Sequence, residues 1–485
     1  MSDPRSPARP FVRDTMLAPQ HPPLAETGVV KWLHEKLFAG PLNTGLTILG
    51  IAAVYLVAQS ILPWLMRGVW NASSQQECYR IIAERHGAGA TGACWALIRD
   101  RWHQFLFGFY PREFYWRPLL ALALLIAALA PALYWGNRRA SQIMVGLVGV
   151  ALVLALWGVR TDGLHVLYAA VLMAALFAVA SMAPKRLIWL TVAFPFLGFW
   201  LLWGGTIWGP VGAATGFVIL ALVFRASQAR LGPVVGAGAG IVAAAVWWLV
   251  VQSTVTGALQ AAMPFGLVHV ESDVFGGFLL SFVIGVTAIS ASLPMGILLA
   301  LGRRSDMLLI KTLSVGFIEF IRGVPLITML FTASLLLQYF LPPQTQFDLI
   351  LRVISLVTLF AAAYIAEVIR GGLAALPRGQ YEAADALGLD YWQAQRLIVM
   401  PQALKIAIPG IVSSFIGLFK DTTLVALVGL ADPLTGIRKI VLADINWKGI
   451  YWEPFIFVAI IFFVINFGMS RYSMYLERRL KTDHR

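Results

Sequence analysis

The sequence predicts an all-α transmembrane protein. Of its 485 residues 59% are hydrophobic and only 13% charged, where soluble domains hold roughly 45–50% apolar and about 25% charged residues. The apolar residues also gather into runs near the ~20 residues a helix needs to cross a ~30 Å hydrocarbon core. Helices are the natural spanning element because they satisfy their own backbone polar groups where no water reaches.

Residues 1–40 hold six prolines by position 23, with Arg5, Arg9 and Arg13 among them. They read as a disordered cytoplasmic tail, with no apolar core long enough for a signal peptide. The first span, about 42–66, is then a retained helix. A polar stretch, 67–115, carries both cysteines and reads as a periplasmic loop. Six spans follow at about 117–136, 141–159, 163–183, 187–206, 209–224 and 232–252. A polar segment, 253–275, reads as a periplasmic linker. Spans at about 276–301, 309–341, 349–372, 404–430 and 453–474 complete a set of about twelve. The organisation is a tail (1–40), a seven-helix extension (41–252), a linker (253–275) and a C-terminal part (276–480).

Loop charge sets the orientation, because short cytoplasmic loops collect Lys and Arg. One set of alternate loops carries Arg138, Arg139, Lys185, Arg186, Arg225, Arg230, Arg303, Arg304 and Lys311, and segment 373–405 adds Arg378, Arg396 and Lys405. The opposite loops carry Arg160, Arg438, Lys439 and Lys448. The first set is cytoplasmic. Segment 67–115 is arginine-rich yet falls outside by parity, as long translocated loops are allowed to do.

Much chemistry is excluded. The formal charge of +13 suits loops facing anionic lipid headgroups, and no basic run argues for nucleic acid. His34-Glu35 lacks the second histidine of a zincin helix, and no metal site is expected. No G-x-x-x-x-G-K-[ST] loop is present, so any ATP must be hydrolysed by another subunit. Gly236 and Gly240 sit in an apolar run with no strand before them, which favours helix packing over a nucleotide loop. Cys78 and Cys94 are the two cysteines; outside the membrane they either form a disulfide or remain free thiols.

The informative stretch starts at Tyr381. Glu382-Ala383-Ala384-Asp385-Ala386-Leu387 favours helix and Gly388 permits the positive-φ turn that ends one. Leu389–Met400 restarts with Leu389, Trp392, Gln393, Arg396 and Leu397 at helical spacing, and Pro401 is expected to break the chain before the next span. An ordinary amphipathic connector would have the same physics. However, Glu382-Ala383-Ala384, Gly388, Ile398 and Pro401 resemble the EAA loop of ABC-importer permeases: E-A-A, three residues, Gly, nine residues, Ile-x-x-Pro. The resemblance implies that these six residues couple the chain to an ABC ATPase dimer.

Neighbouring segments narrow the likeness. Phe317–Leu326 is similar to the second core helix of polar amino-acid permeases, Ala363–Gly372 to the third, and Phe419–Val425 to the Lys-Asp-Thr-Ser-Leu stretch of the fourth, with Thr423 in place of Ser. They imply a five-helix type I ABC importer permease core over 276–480. Gly92–Ala96, Phe107–Pro111 and Trp116–Pro118 resemble the outer loop of the general L-amino-acid permeases of the Aap/Bzt type, in their M-like subunit.

Ionisable residues within spans are costly and point to function by default. Glu319 and Arg322 lie three apart ahead of Gly323-Val324-Pro325, with Pro325 a structural break; Glu367 and Arg370 repeat the spacing. Both pairs also fit a packing role as ion pairs. Lys420 and Asp421, followed by Thr422 and Thr423, fall in the fourth core helix. Asp421 suits the ammonium of an amino-acid zwitterion, and Arg322 or Lys420 its carboxylate. A Lys420–Asp421 pair closing a dimer seam is the structural alternative.

The function expected is that of a multi-pass inner-membrane permease subunit of an ATP-driven importer of polar L-amino acids. It implies a second permease subunit in a heterodimer, a periplasmic amino-acid-binding protein and surrounding lipid as partners. No cofactor is expected on this chain; ATP and Mg belong to the ATPase. An ion-gradient secondary transporter is the rival, but such folds usually show two similar halves, and here the motifs stay in the last part. A scaffold that only recruits an ATPase would tolerate neutral replacement of Asp421 and Arg322.

Overall fold

The structure, a computed structural model, describes residues 28–340 and 347–480. Two compact units divide the chain, one ending at Trp95 and the other starting at Ala96, so the division falls inside the polar stretch 67–115. The proline-rich part of the tail lies outside the described residues. From Gly28 to Leu37 the chain is helical.

In the first unit the span Pro41–Met66 buries none of its residues, as expected of a helix that is apolar all round and solvated by lipid. Helix Gln75–His86 follows, N-capped by Ser74. Cys78 on this helix is joined to Cys94 in a disulfide with Cα atoms 5.9 Å apart. Trp95 stacks on Trp70 with ring centroids 5.7 Å apart. Gly68 is required beneath that indole, since a Cβ there would lie 2.4 Å from Trp95.

The second unit opens with helix Ala96–Phe107, so 67–115 holds two α-helices and a 3-10 turn, Arg112–Phe114, rather than a plain loop. Arg101 pairs with Asp444, and Trp447 Nε1 donates to Asp100 at 3.3 Å. At Gly108, φ is +67° and a Cβ would sit 2.3 Å from Gly276 Cα. Residues 96–115 therefore share a face with 431–450, the face that loop charge assigns to the outside.

Four helices come next: Trp116–Leu133, Arg138–Gly158, Gly163–Met182 and Ile188–Trp203. Spans Trp208–Gly232 and Val235–Ala262 then form a hairpin, folded at Gly232, where φ is +82°. Trp247 and Trp248 donate their indole N–H to Gly212 and Ala213 carbonyls at 2.8 and 3.1 Å. Gly236 packs on the Gln228 backbone and Gly240 on the Leu220 carbonyl, which is the helix-packing role of small residues in lipid. The segment expected as linker from 253 is helical to Ala262. Its polar side chains mislead because they bond within the hairpin: Thr256 Oγ1 donates to the Gln252 carbonyl at 2.8 Å.

The C-terminal helices are Gly277–Arg303, Leu308–Gly323, Leu349–Ala374, Met400–Asp421 and Trp452–Leu480, called here the first to fifth core helices. The expected span 309–341 is sharply bent at the break expected of Pro325. Pro325 N-caps a new helix, and Leu308–Gly323 meets Leu326–Leu336 at 102°, because proline donates no backbone bond and restricts the residue before it. Buried Arg352 holds the far side of that bend, donating to the Ser334 carbonyl at 3.0 Å.

Pro401 does not break the chain as expected. A π turn, Gln395–Val399, precedes it, and helix runs on from Tyr391 through Asp421. The wide turn absorbs the missing donor, a common function of π-bulges. Among the described residues eleven helices are long and apolar enough to span a membrane, or twelve if the bent pair is one span.

Candidate functional site

Two linked features occupy one end of the core: a projecting loop and a network of ion pairs. The loop begins after the third core helix with helix Gly379–Ala386, which holds Glu382, Ala383 and Ala384. Ala384 is fully buried and its neighbours Glu382 and Ala383 are exposed, so this helix is pinned by one small residue. Gly388 takes φ +68°, and its N–H donates to the Asp385 carbonyl at 2.9 Å while Leu389 N–H reaches back to Ala384. Those bonds close the helix end with the left-handed residue that glycine supplies cheaply.

The second half restarts under a capping box. Asp390 Oδ1 accepts from Gln393 N–H at 2.8 Å and Gln393 Oε1 from Asp390 N–H at 3.2 Å. The Asp-x-x-Gln spacing carried that signal in the sequence. The result is a capped hairpin that presents Leu387, Tyr391, Trp392 and Leu397, each more than half exposed. Ile398 is half-buried behind them, and Pro401 lies within the continuing helix. Gln402 Nε2 ties the loop to the fourth core helix through Gln380 at 2.9 Å.

The ion pairs differ from the i,i+3 pattern in part. Glu367 and Arg370 do pair within the third core helix at 2.5 Å. Glu319 pairs with Arg303 at 2.9 Å, and Arg322 lies 3.8 Å from Glu367. Arg303 also reaches Glu367 at 3.3 Å. Three helices are thus joined by Glu367, around which three guanidiniums gather. Arg303, a loop-charge orientation signal in the sequence, is the residue that completes the network. Arg304 donates to the Tyr381 hydroxyl at 2.8 Å, with its guanidinium 5.3 Å from the ring centroid.

Further along the third and fourth core helices a groove of about 260 Å³ is lined by Phe360, Tyr364, Ser414, Phe415 and Asp421, among others. Arg322 stacks over the Tyr364 ring at 5.5 Å. The groove therefore has one carboxylate on its wall, Asp421, while Arg322 lies against the ring of Tyr364 and is not itself a lining residue. Lys420 is exposed, and among the described residues no ion pair joins it to Asp421. Thr422 is buried and donates to the Phe419 carbonyl at 2.7 Å; Thr423 donates to Lys420 at 2.9 Å. Both hydroxyls are committed to their own turn and do not line the groove.

The chain is similar to known transport permeases. Residues 292–482 match the model of the binding-protein-dependent transport system inner membrane component. Over 475 residues the chain is 62% identical to the glutamate/glutamine/aspartate/asparagine transport system permease protein BztC of Rhodobacter capsulatus, covering 98% of this chain and 99% of that protein. Identity is 33% to the inner membrane amino-acid ABC transporter permease protein YhdY of Escherichia coli, over 93% of each chain. The glutamate/aspartate import permease protein GltK of Escherichia coli is 32% identical over 209 residues, which are 42% of this chain and 91% of that protein.

Proposed function

The chain belongs to the amino-acid ABC transporter permeases of the binding-protein-dependent inner membrane component family, and from that premise we propose that its Gly379–Val399 hairpin is the surface on which a separate ATPase subunit acts. The chain itself is a multi-pass inner-membrane permease subunit for amino-acid import. ATP and Mg are used by the ATPase dimer, and this chain binds no cofactor. A second, different permease subunit completes the pathway, and a periplasmic binding protein delivers substrate to the outer face. The amino acids carried are glutamate, glutamine, aspartate and asparagine, in keeping with the likeness to BztC.

One observation carries the coupling assignment: the hairpin exposes Leu387, Tyr391, Trp392 and Leu397 beside Glu382 and Gly388 on a capped, hydrogen-bonded frame. Apolar side chains on a capped projection supply the buried centre an interface needs. Closure of the ATPase dimer would displace that frame as a unit, and the core helices would alternate between inward and outward opening. Asp421 and Arg322 are the groups we assign to the substrate's ammonium and carboxylate, Asp421 on the groove wall and Arg322 against the Tyr364 ring.

ATP-dependent uptake of labelled glutamate in vesicles with the full partner set tests the reading, wild type against Gly388→Asp. A side chain at φ +68° strains the turn by up to about 1–2 kcal/mol, and the substitution adds a negative charge to the exposed face of the hairpin. Uptake is expected to vanish while membrane insertion stays normal. Wild-type uptake that runs without ATP and follows a proton or sodium gradient would sink the importer reading.

A further inference from the structure

The first core helix ends in two adjacent arginines that hold different parts of the molecule. Arg303 reaches outward to two other helices, 2.9 Å from Glu319 and 3.3 Å from Glu367. Arg304, the C-cap of the same helix, reaches the coupling hairpin instead. Its guanidinium donates to the Tyr381 hydroxyl at 2.8 Å and lies 3.4 Å from the Leu373 carbonyl, over the Tyr381 ring. Tyr381 immediately precedes Glu382.

Between this anchor and the short helix lies a cavity of about 380 Å³ lined by Arg304, Leu373, Arg378, Tyr381, Glu382 and Asp385. The cleft is open to solvent, with Arg378, Glu382 and Asp385 exposed, so the Tyr381 contact is the point at which this face of helix Gly379–Ala386 is held to the first core helix. Gln380 ties the hairpin to the fourth core helix; Arg304 ties it to the first.

We propose that Arg303 and Arg304 form a two-sided linkage that makes the coupling hairpin and the ion network around Glu367 respond together. The inference rests on the reading of the hairpin as the ATPase-coupled element. Neighbouring side chains on a helix diverge by about 100°, which lets one terminal turn serve two directions while sharing one backbone. A pull on Tyr381 moves that turn, and Arg303 then leaves the range in which its bond to Glu367 holds. Hydrogen bonds weaken steeply with distance and angle, so the network is either held or released, the two-state behaviour that transmission demands. Both arginines act as positioning residues: neither touches substrate or nucleotide.

The test reconstitutes the whole transporter with its ATPase and binding protein in proteoliposomes. ATP hydrolysed and glutamate accumulated are measured in the same samples for wild type, Arg304→Ala and Tyr381→Phe. In Arg304→Ala, glutamate moved per ATP is expected to fall about tenfold, within the usual range of a coupling energy, while hydrolysis continues and the ATPase co-purifies. Tyr381→Phe keeps the ring under the guanidinium and loses only the hydroxyl bond, so it should fall less in the same direction. A purely structural role would lower the amount assembled and leave the ratio at its wild-type value, and an unchanged ratio in both variants overturns the linkage. If Arg304→Ala fails to assemble, the Tyr381→Phe ratio decides. Wild-type uptake that needs no ATP overturns the importer reading itself, a different result from an ATP-driven wild type with unchanged variants.

Discussion

The extension and the core of this permease cross the same membrane with different means of holding helices together. In the core, Arg303, Glu319, Arg322, Glu367 and Arg370 link three helices by ion pairs. In the extension, Ile188–Trp203 and Val235–Ala262 contain no Asp, Glu, Lys or Arg at all. The hairpin there is closed by glycines and by indole N–H bonds to carbonyls. Its buried Arg117 meets the Val268 carbonyl at 2.7 Å and the Phe114 ring rather than an acid. Charge in a bilayer is expensive, and here it is concentrated at the end of the core that carries the Gly379–Val399 hairpin, the element proposed above to couple to the ATPase. GltK, matched over 91% of its length by 209 residues, shows that an import permease need not have an extension of this size.

The largest effect expected of a side chain in this comparison is at Glu367. Glu367→Gln leaves Arg303, Arg322 and Arg370 without their shared partner. Removing the central member of a partly exposed ion group costs about 1–2 kcal/mol, less than for a fully buried pair, seen as a lowered thermal midpoint in detergent, together with lost uptake. An unchanged midpoint would mean that the network is solvated and that core and extension are held alike.

An effect on stability alone separates the two regions by backbone approach. A Cβ at Gly372 would lie 2.5 Å from the Ala403 carbonyl, between the third and fourth core helices, whereas at Gly257 in the extension nothing stands within 4 Å. Gly372→Ala should therefore destabilise by about 1–3 kcal/mol through overpacking. Gly257→Ala should stabilise its helix by up to about 1 kcal/mol. Thermal midpoints of the two variants check the pair, and equal shifts would erase the distinction.

What the sequence made legible follows the same division. Apolar runs placed the spans because length and hydropathy are local properties, and Glu382, Gly388 and Pro401 stand at a spacing that chemistry rarely repeats by chance. The bend at Pro325 was foreshadowed by Gly323-Val324-Pro325, but its 102° angle depends on Arg352 and the third core helix. Helix beyond 253 was hidden because Gln252 and Thr256 are polar by composition and satisfied only across or within a hairpin. Pro401 misled because a π turn has no signature in residue type. Arg303 and Arg304 looked like topology signals, and only the fold brings them to Glu367 and Tyr381, the one 64 and the other 77 residues away.

The smallest effect lies on the outer helix Ala96–Phe107. His103 Nε2 sits 2.6 Å from an Arg112 nitrogen, so the neutral ring must accept that bond. Burial, then Arg112 and Arg101, with Asp100 opposing, bring its pKa down from 6.5 to about 4. A folded-state pKa below the unfolded one means the folded form resists protonation. The associated stability is complete above pH 6.5 and is lost as pH falls toward 4. His103→Gln keeps an acceptor for Arg112 and cannot titrate. Its thermal midpoint should decline less than that of the wild type over this interval. Because the core's ion network has arginines and carboxylates but no histidine, acid should loosen the outer helix before it reaches the coupling end. Identical pH profiles for the two proteins would place the acid-sensitive group elsewhere and remove this last contrast between the outer extension and the core.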